Sequence, residues 1–284
     1  MTKIAIVTDT DASLPQDLAA KHNIPQVPIM IQFGEEQFED CFEISSAQLF
    51  ERVDREGVLP TTSAPSPGQY VKVFEAAFEQ GAEAVLCFCI SSNMSASYAA
   101  AVSGRDLLPE RDITVVDSET LAMAQGFMVL AALEAVREGA SVEEAIAKAV
   151  DVRDRTCLYA ALSTLKYLAM SGRVGSLAAG MANLLNIKPI LTLQEGKLNL
   201  LEKIRSQKRS WRRVIDLAEQ DLAGRPIERL AILHVNVPED AACFQAQVLE
   251  RLPCEGEVMV AEVTPGLSVH TGKGLVGLVA VAAE

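Results

Sequence analysis

The sequence predicts an α/β protein of two domains, the first with a mainly parallel sheet flanked by helices, the second with a mixed, partly antiparallel sheet. Three observations carry this. Short apolar runs alternate with helical segments through the first half, the pattern of parallel strands covered on both faces. The second half holds a hairpin signature: apolar 190–193, then Gln194-Glu195-Gly196-Lys197, then 198–204, with more strand-like runs near the end. The chain has 284 residues, 49% of them hydrophobic, enough for a large core and two domains. The pattern changes near Val152, so we divide the chain into 1–151 and 152–284.

A strand over 3–8 ends in Thr8-Asp9-Thr10-Asp11, and a short helix over 14–21 takes Pro15 in its first turn. Residues 26–33 are a second apolar run. Ser45 and Gln48 make a capping box for a helix to about 55. The prolines of Leu59-Pro60-Thr61-Thr62-Ser63-Ala64-Pro65 set an extended loop, and Ser66, Pro67 and Gln69 start the next helix, to 81. Residues 84–90 are almost wholly apolar, a strand buried on both faces, followed by an alanine-rich helix to 108 that Pro109 stops. A strand over 113–116 ends in Asp117-Ser118-Glu119-Thr120. Helices over 121–138 and from Ser141, boxed by Glu144, complete the first half. Beyond 152 we expect helices over 163–169, 210–223 and 239–252, and strands over 229–235, 257–263, 267–270 and 274–282.

Polar clusters follow three of the strands in the first half, at 8–11, 91–95 and 117–120. In parallel sheets the carboxyl ends share one edge, and ligands bind there. The segment Ile90-Ser91-Ser92-Asn93-Met94-Ser95-Ala96-Ser97 sets hydroxyls and free N–H groups at a strand-to-helix junction. That suits an anion such as a phosphate or carboxylate; the alternative is that Ser92 or Asn93 caps the helix. A formal net charge of −13 disfavours nucleic acid, and any anion site must be built from local groups. No apolar run is long enough to span a bilayer, and the N-terminus reads as a strand rather than a signal peptide. Six scattered cysteines with no C-x-x-C pair read as reduced, so the expected location is cytoplasmic. Cys87 and Cys89 share a strand face, a slight pointer to a metal; His22, His234 and His270 show no ligand spacing. Gly272-Lys273-Gly274-Leu275-Val276-Gly277 matches a dinucleotide pattern, but strand-like residues follow where a helix is needed. A serine hydrolase is the second reading, with Ser92 or Ser95, His270, and Asp9 or Asp117. A run of several hydroxyls suits anion coordination better than one activated nucleophile.

Several separated motifs run in one order along nearly the whole chain. They are Thr8-Asp9-Thr10-Asp11-Ala12-Ser13-Leu14, Thr61-Thr62-Ser63-Ala64-Pro65-Ser66, the serine segment through Tyr98, and Val116-Asp117-Ser118. Residues 165–175, Lys188-Pro189-Ile190-Leu191 and 270–277 continue the series. Together they resemble the DegV family, fatty-acid-binding proteins that include the FakB subunits of bacterial fatty acid kinase. Three places depart from the family pattern: Ala96 and Ser97 stand for Gly-Thr, Ser171 for the first of two glycines, and Lys273 within Gly-Pro-Gly. The resemblance implies an acyl chain in a buried tunnel, its carboxylate near the junction of two α/β domains, and no cofactor. It implies Thr62, Ser63, Ser92 and Ser95 beside the headgroup, with His270 and Arg173 from the second domain. It also implies a carrier rather than an enzyme. A FakA-like kinase subunit, binding the ATP itself, would convert the presented carboxylate of a long-chain fatty acid to an acyl-phosphate. The basic run Lys203, Arg205, Lys208, Arg209, Arg212 and Arg213 is either a solvated face or, around Arg205 and Arg209, a docking patch for that partner.

Overall fold

The computed structural model describes residues 3–172, 187–254, 256 and 258–284. Its strands are β1 (Ile4–Asp9), β2 (Gln26–Val27), β3 (Met30–Phe33), β4 (Glu36–Glu39), β5 (Thr61–Ser63), β6 (Ala84–Cys89), β7 (Asp112–Asp117), β8 (Thr156–Ala161), β9 (Lys188–Gln194), β10 (Lys197–Ile204), β11 (Ile227–His234), β12 (Val258–Glu262) and β13 (Val276–Ala282). Its helices are α1 (Gln16–His22), α2 (Ser46–Glu56), α3 (Pro67–Glu79), α4 (Ser97–Asp106), α5 (Ala122–Arg137), α6 (Val142–Asp154), α7 (Lys166–Ser171), α8 (Gln207–Leu222), α9 (Pro238–Arg251) and α10 (Pro265–Thr271).

The first sheet is parallel throughout, in the order β2-β1-β6-β7. Every residue of β6 is buried, as a strand covered on both faces requires. The larger sheet runs β10-β9-β8-β13-β11-β12 and is antiparallel except for the β11–β12 pair. The expected fold class is therefore the one observed. Both predicted capping boxes form, at Ser45 and Ser141, and the helix start read at Ser66 is boxed as well; each serine accepts the backbone N–H of the residue three on.

Helix α5 lies between the two sheets. Residues 122–133 are all buried, and the helix packs against β1 and β6 and also against β8, β11 and β13. A helix apolar all round belongs in such a position. One apolar cluster consequently runs from Phe88 through Phe127 and Met128 to Leu233 and Val279. No helix among the described residues is long and apolar enough to cross a membrane.

Three local expectations are corrected. The run 26–33 is broken in two, because Pro28 has no N–H to continue a ladder. Its second piece, β3, sits between β4 and β5 in a small antiparallel sheet. Residues 61–63, read as loop, are β5 of that sheet, with Thr62 opposite Ile31. Residues 267–270, read as a strand, belong to α10, whose first turn holds Pro265. A four-residue apolar run carries no period that separates strand from helix.

Candidate functional site

A cavity opens between the carboxyl edge of the parallel sheet and the inner face of the larger sheet. It encloses about 1040 Å³ when the space at its open mouth is included. Leu158 and Ala160 line it from alternate positions of β8, which places both on one face. Leu191 of β9, Leu198 of β10 and Leu233 of β11 continue that apolar floor, and Ile29, Ile90 and Met94 face it from the first half.

The polar groups of the lining are few. Thr62 and Ser63 come from β5, Ser95 from the turn before α4, His270 and Thr271 from α10, and Asp11 from the turn after β1. Thr62 Oγ1 and His270 Nε2 lie 2.8 Å apart, joining residues 208 apart in the chain. Ser95 Oγ lies 2.8 Å from Ser97 Oγ and accepts the Ser97 N–H. Ser95 thus supplies the first turn of α4 with an acceptor. Neither Ser92 nor Asn93, the alternative caps, fills that place: the N-cap of α4 is Ala96, with no side-chain cap hydrogen bond.

Four of the expected headgroup residues, Thr62, Ser63, Ser95 and His270, line this one cavity. Ser92 is exposed and outside the lining; its backbone N–H bonds Asp117 Oδ1 at 3.1 Å. Arg173 lies outside the described residues. The rest of the serine turn holds the two halves together. Ser91 Oγ donates to the Gly196 carbonyl at 2.7 Å, and Asn93 Nδ2 to the Glu195 carbonyl at 3.3 Å. These carbonyls form the tip of the β9–β10 hairpin. Gly196 has a φ of +70°, and a Cβ there would sit 2.5 Å from Ser91 Oγ, so only glycine fits.

Two buried carboxylates lie outside the expected headgroup set: Asp9, named from the sequence only as part of a hydrolase triad, and Asp40, which the sequence did not single out. Asp9 is fully buried, with Oδ2 accepting the Ile90 N–H at 2.8 Å and Oδ1 accepting Gln125 Nε2 at 2.9 Å. Gln125 also donates to Thr8 Oγ1 at 2.9 Å. Burial pushes the Asp9 carboxyl up to about 7 against the pull of these donors. Asp40, equally buried, is pushed up to about 6 for the same reason. An aspartate at a strand end gives no sequence signal of this kind. Only Gln125, the one polar residue within the buried stretch 122–133 of α5, marks the place.

The comparisons with known proteins decide the family. The family model described as "Uncharacterised protein, DegV family" matches residues 3–283. The chain belongs to the DegV family. A DegV domain-containing protein of Streptomyces coelicolor is 32% identical over 276 residues, 97% of either chain. A structure described as the fatty acid binding of a DegV family protein from Thermus thermophilus superposes with a TM-score of 0.91 at 33% identity, covering 99% of this chain and 100% of that one. DegV of Bacillus subtilis, described as a fatty acid binding protein, gives 0.90 at 29% identity with full coverage of both chains.

In this DegV chain the parts of a hydrolase triad are spent separately. The hydroxyl engaged by His270 is that of Thr62, and Ser95 bonds Ser97. Asp9 holds Ile90 and Gln125, and Asp117 holds the N–H groups of Ser92 and Glu119. The Thermus thermophilus and Bacillus subtilis structures, both described as fatty acid binding, give the hydrolase reading no support. Cys87 and Cys89 lie with their sulfurs 3.9 Å apart, beside the Tyr70 hydroxyl. Burial pushes the Cys89 thiol up, and no cluster of His, Cys, Asp and Glu suited to a metal exists among the described residues. In the basic run, Lys203, Arg205, Lys208, Arg209 and Arg212 are exposed around the end of β10 and the start of α8, while Arg213 is half-buried against Glu202 at 2.7 Å.

Proposed function

We propose that this chain is a non-catalytic carrier. It holds a long-chain fatty acid in the cavity and presents the carboxylate to a kinase partner. The observation that carries the reading is an apolar cavity whose few polar groups include Thr62, Ser63, Ser95 and His270. Burying ~15 methylenes at about 0.8 kcal/mol each yields roughly 12 kcal/mol gross, part of which ordering the acyl chain removes. The carboxylate still needs donors, since an unpaired buried charge is costly. Hydroxyls and the first N–H groups of α4 supply them without a metal. Native mass spectrometry of protein purified from cells is expected to find a bound long-chain fatty acid. Absence of lipid, together with no uptake by delipidated protein, would sink the reading.

The hydroxyl of Ser95 gives the sharpest local test. Ser95→Ala is expected to weaken fatty-acid binding by about 1–3 kcal/mol, the loss of one hydrogen bond to a charged group. Removing the acceptor for the Ser97 N–H should also cost about 1 kcal/mol of stability. Fatty-acid titration and thermal melting of the same sample separate the two effects. Unchanged affinity in a folded variant places the headgroup elsewhere.

The partner is a kinase subunit that binds ATP itself and phosphorylates the presented carboxylate to an acyl-phosphate. Its docking site includes Arg205 and Arg209, which are exposed in a chain of net charge −13. Reversing both to glutamate is expected to abolish acyl-phosphate formation with the cognate kinase and leave fatty-acid binding intact. Phosphorylation at the wild-type rate would make the patch a solvated face.

A further inference from the structure

Helix α10 carries His270, and nothing local determines how it lies. It has seven residues, too few to be stable alone. Its N-cap, Thr264, makes no side-chain hydrogen bond to the helix, and Pro265 has no N–H to offer. The first helical donor needing a partner is therefore the N–H of Gly266. That partner is Asp40, whose Oδ1 accepts it at 3.0 Å from 226 residues away.

The carboxylate is well placed to fix the helix. Asp40 has 0% of its surface exposed, and its own N–H bonds the carbonyl of Ile29, a residue of the cavity wall. The approach is close on both sides, because a Cβ on Gly266 would stand 2.8 Å from Asp40 Oδ2. Gly266, Leu267, His270 and Thr271 all line the cavity, the i, i+1, i+4, i+5 face of one helix. Rotating or sliding α10 about its first turn would carry the His270 ring away from Thr62 Oγ1, now 2.8 Å from Nε2.

We propose that Asp40 is a positioning residue for His270: from the first half of the chain it caps α10 and so sets where the imidazole meets Thr62 and the ligand headgroup. The headgroup part of this rests on the fatty-acid reading above. The link between Asp40 and the imidazole does not.

Two measurements test it. In lipid-free protein, the NMR signals of the His270 ring, assigned among three histidines by a His270→Gln variant, are expected to move in Asp40→Ala. They should return towards wild type in Asp40→Asn, which keeps an acceptor for the Gly266 N–H. In fatty-acid titrations, Asp40→Ala is expected to lower affinity about tenfold, the loss of one charge-assisted contact relayed through the helix. In a His270→Ala background the same change should cost less than about twofold, since residues acting through one another are not additive. If Asp40→Ala fails to fold, Asp40→Ser, whose hydroxyl falls short of Gly266, carries the same comparisons. Unmoved His270 signals, or an equal affinity loss in both backgrounds, would overturn the proposal. A wild-type protein that binds no fatty acid would remove the carrier reading, and the ring signals alone would then decide the role of Asp40.

Discussion

Replacing Ala160 by phenylalanine is expected to remove fatty-acid binding while the chain still folds. Ala160 lies in β8 between Leu158 and Leu162, and all three line the cavity. Its side chain faces empty space, so a ring there occupies volume the acyl chain would otherwise fill. Displacing about five methylenes at about 0.8 kcal/mol each removes about 4 kcal/mol of binding, roughly a thousandfold in affinity. Filling a void does not remove core contacts, so the melting temperature should hold or rise. Fatty-acid titration together with a thermal melt checks both halves of the expectation. Wild-type affinity in a folded Ala160→Phe protein would put the acyl chain in some other place.

The second large effect concerns Asp9 and pH. Its carboxyl titrates near 7 in the folded chain because burial outweighs the donors from Ile90 and Gln125. An ordinary aspartate titrates near about 4. Between these values the folded protein keeps a proton that the unfolded chain has released, so this group stabilises at low pH. That contribution is lost as pH rises through about 7. Asp9→Asn cannot titrate. The stability difference between wild type and Asp9→Asn should therefore move by about 4 kcal/mol in favour of the variant between about pH 4 and 8. Asp40 remains in both proteins, and its own titration largely cancels in the comparison. Urea unfolding of the pair across that range is the measurement. Parallel stability curves would mean that Asp9 titrates as an ordinary carboxylate and that its burial carries no charge penalty.

By itself the sequence determined what depends on neighbours a few residues apart. Apolar runs such as 84–90, the boxes at Ser45 and Ser141, the helix start at Ser66 and the hairpin around Gly196 are local signals, and each formed where it was read. The alternation of strand and helix placed the polar clusters of 8–11, 91–95 and 117–120 at one sheet edge, because parallel strands share their direction. Family motifs singled out Thr62, Ser63, Ser95 and His270, all of which line the cavity. Tertiary structure alone decided the rest. It turned Ser91 and Asn93 to the hairpin tip and left Ser92 outside the cavity, though three hydroxyl or amide residues in a row look alike in sequence. It made 267–270 a helix, since so short an apolar run takes the form that its surroundings can cap. It buried Asp9 and Asp40, whose titration depends on atoms 81 and 226 residues away. The physical reason is range: propensity and capping act over one turn of chain, whereas desolvation and a hydrogen bond across the junction of two sheets exist only once distant segments meet.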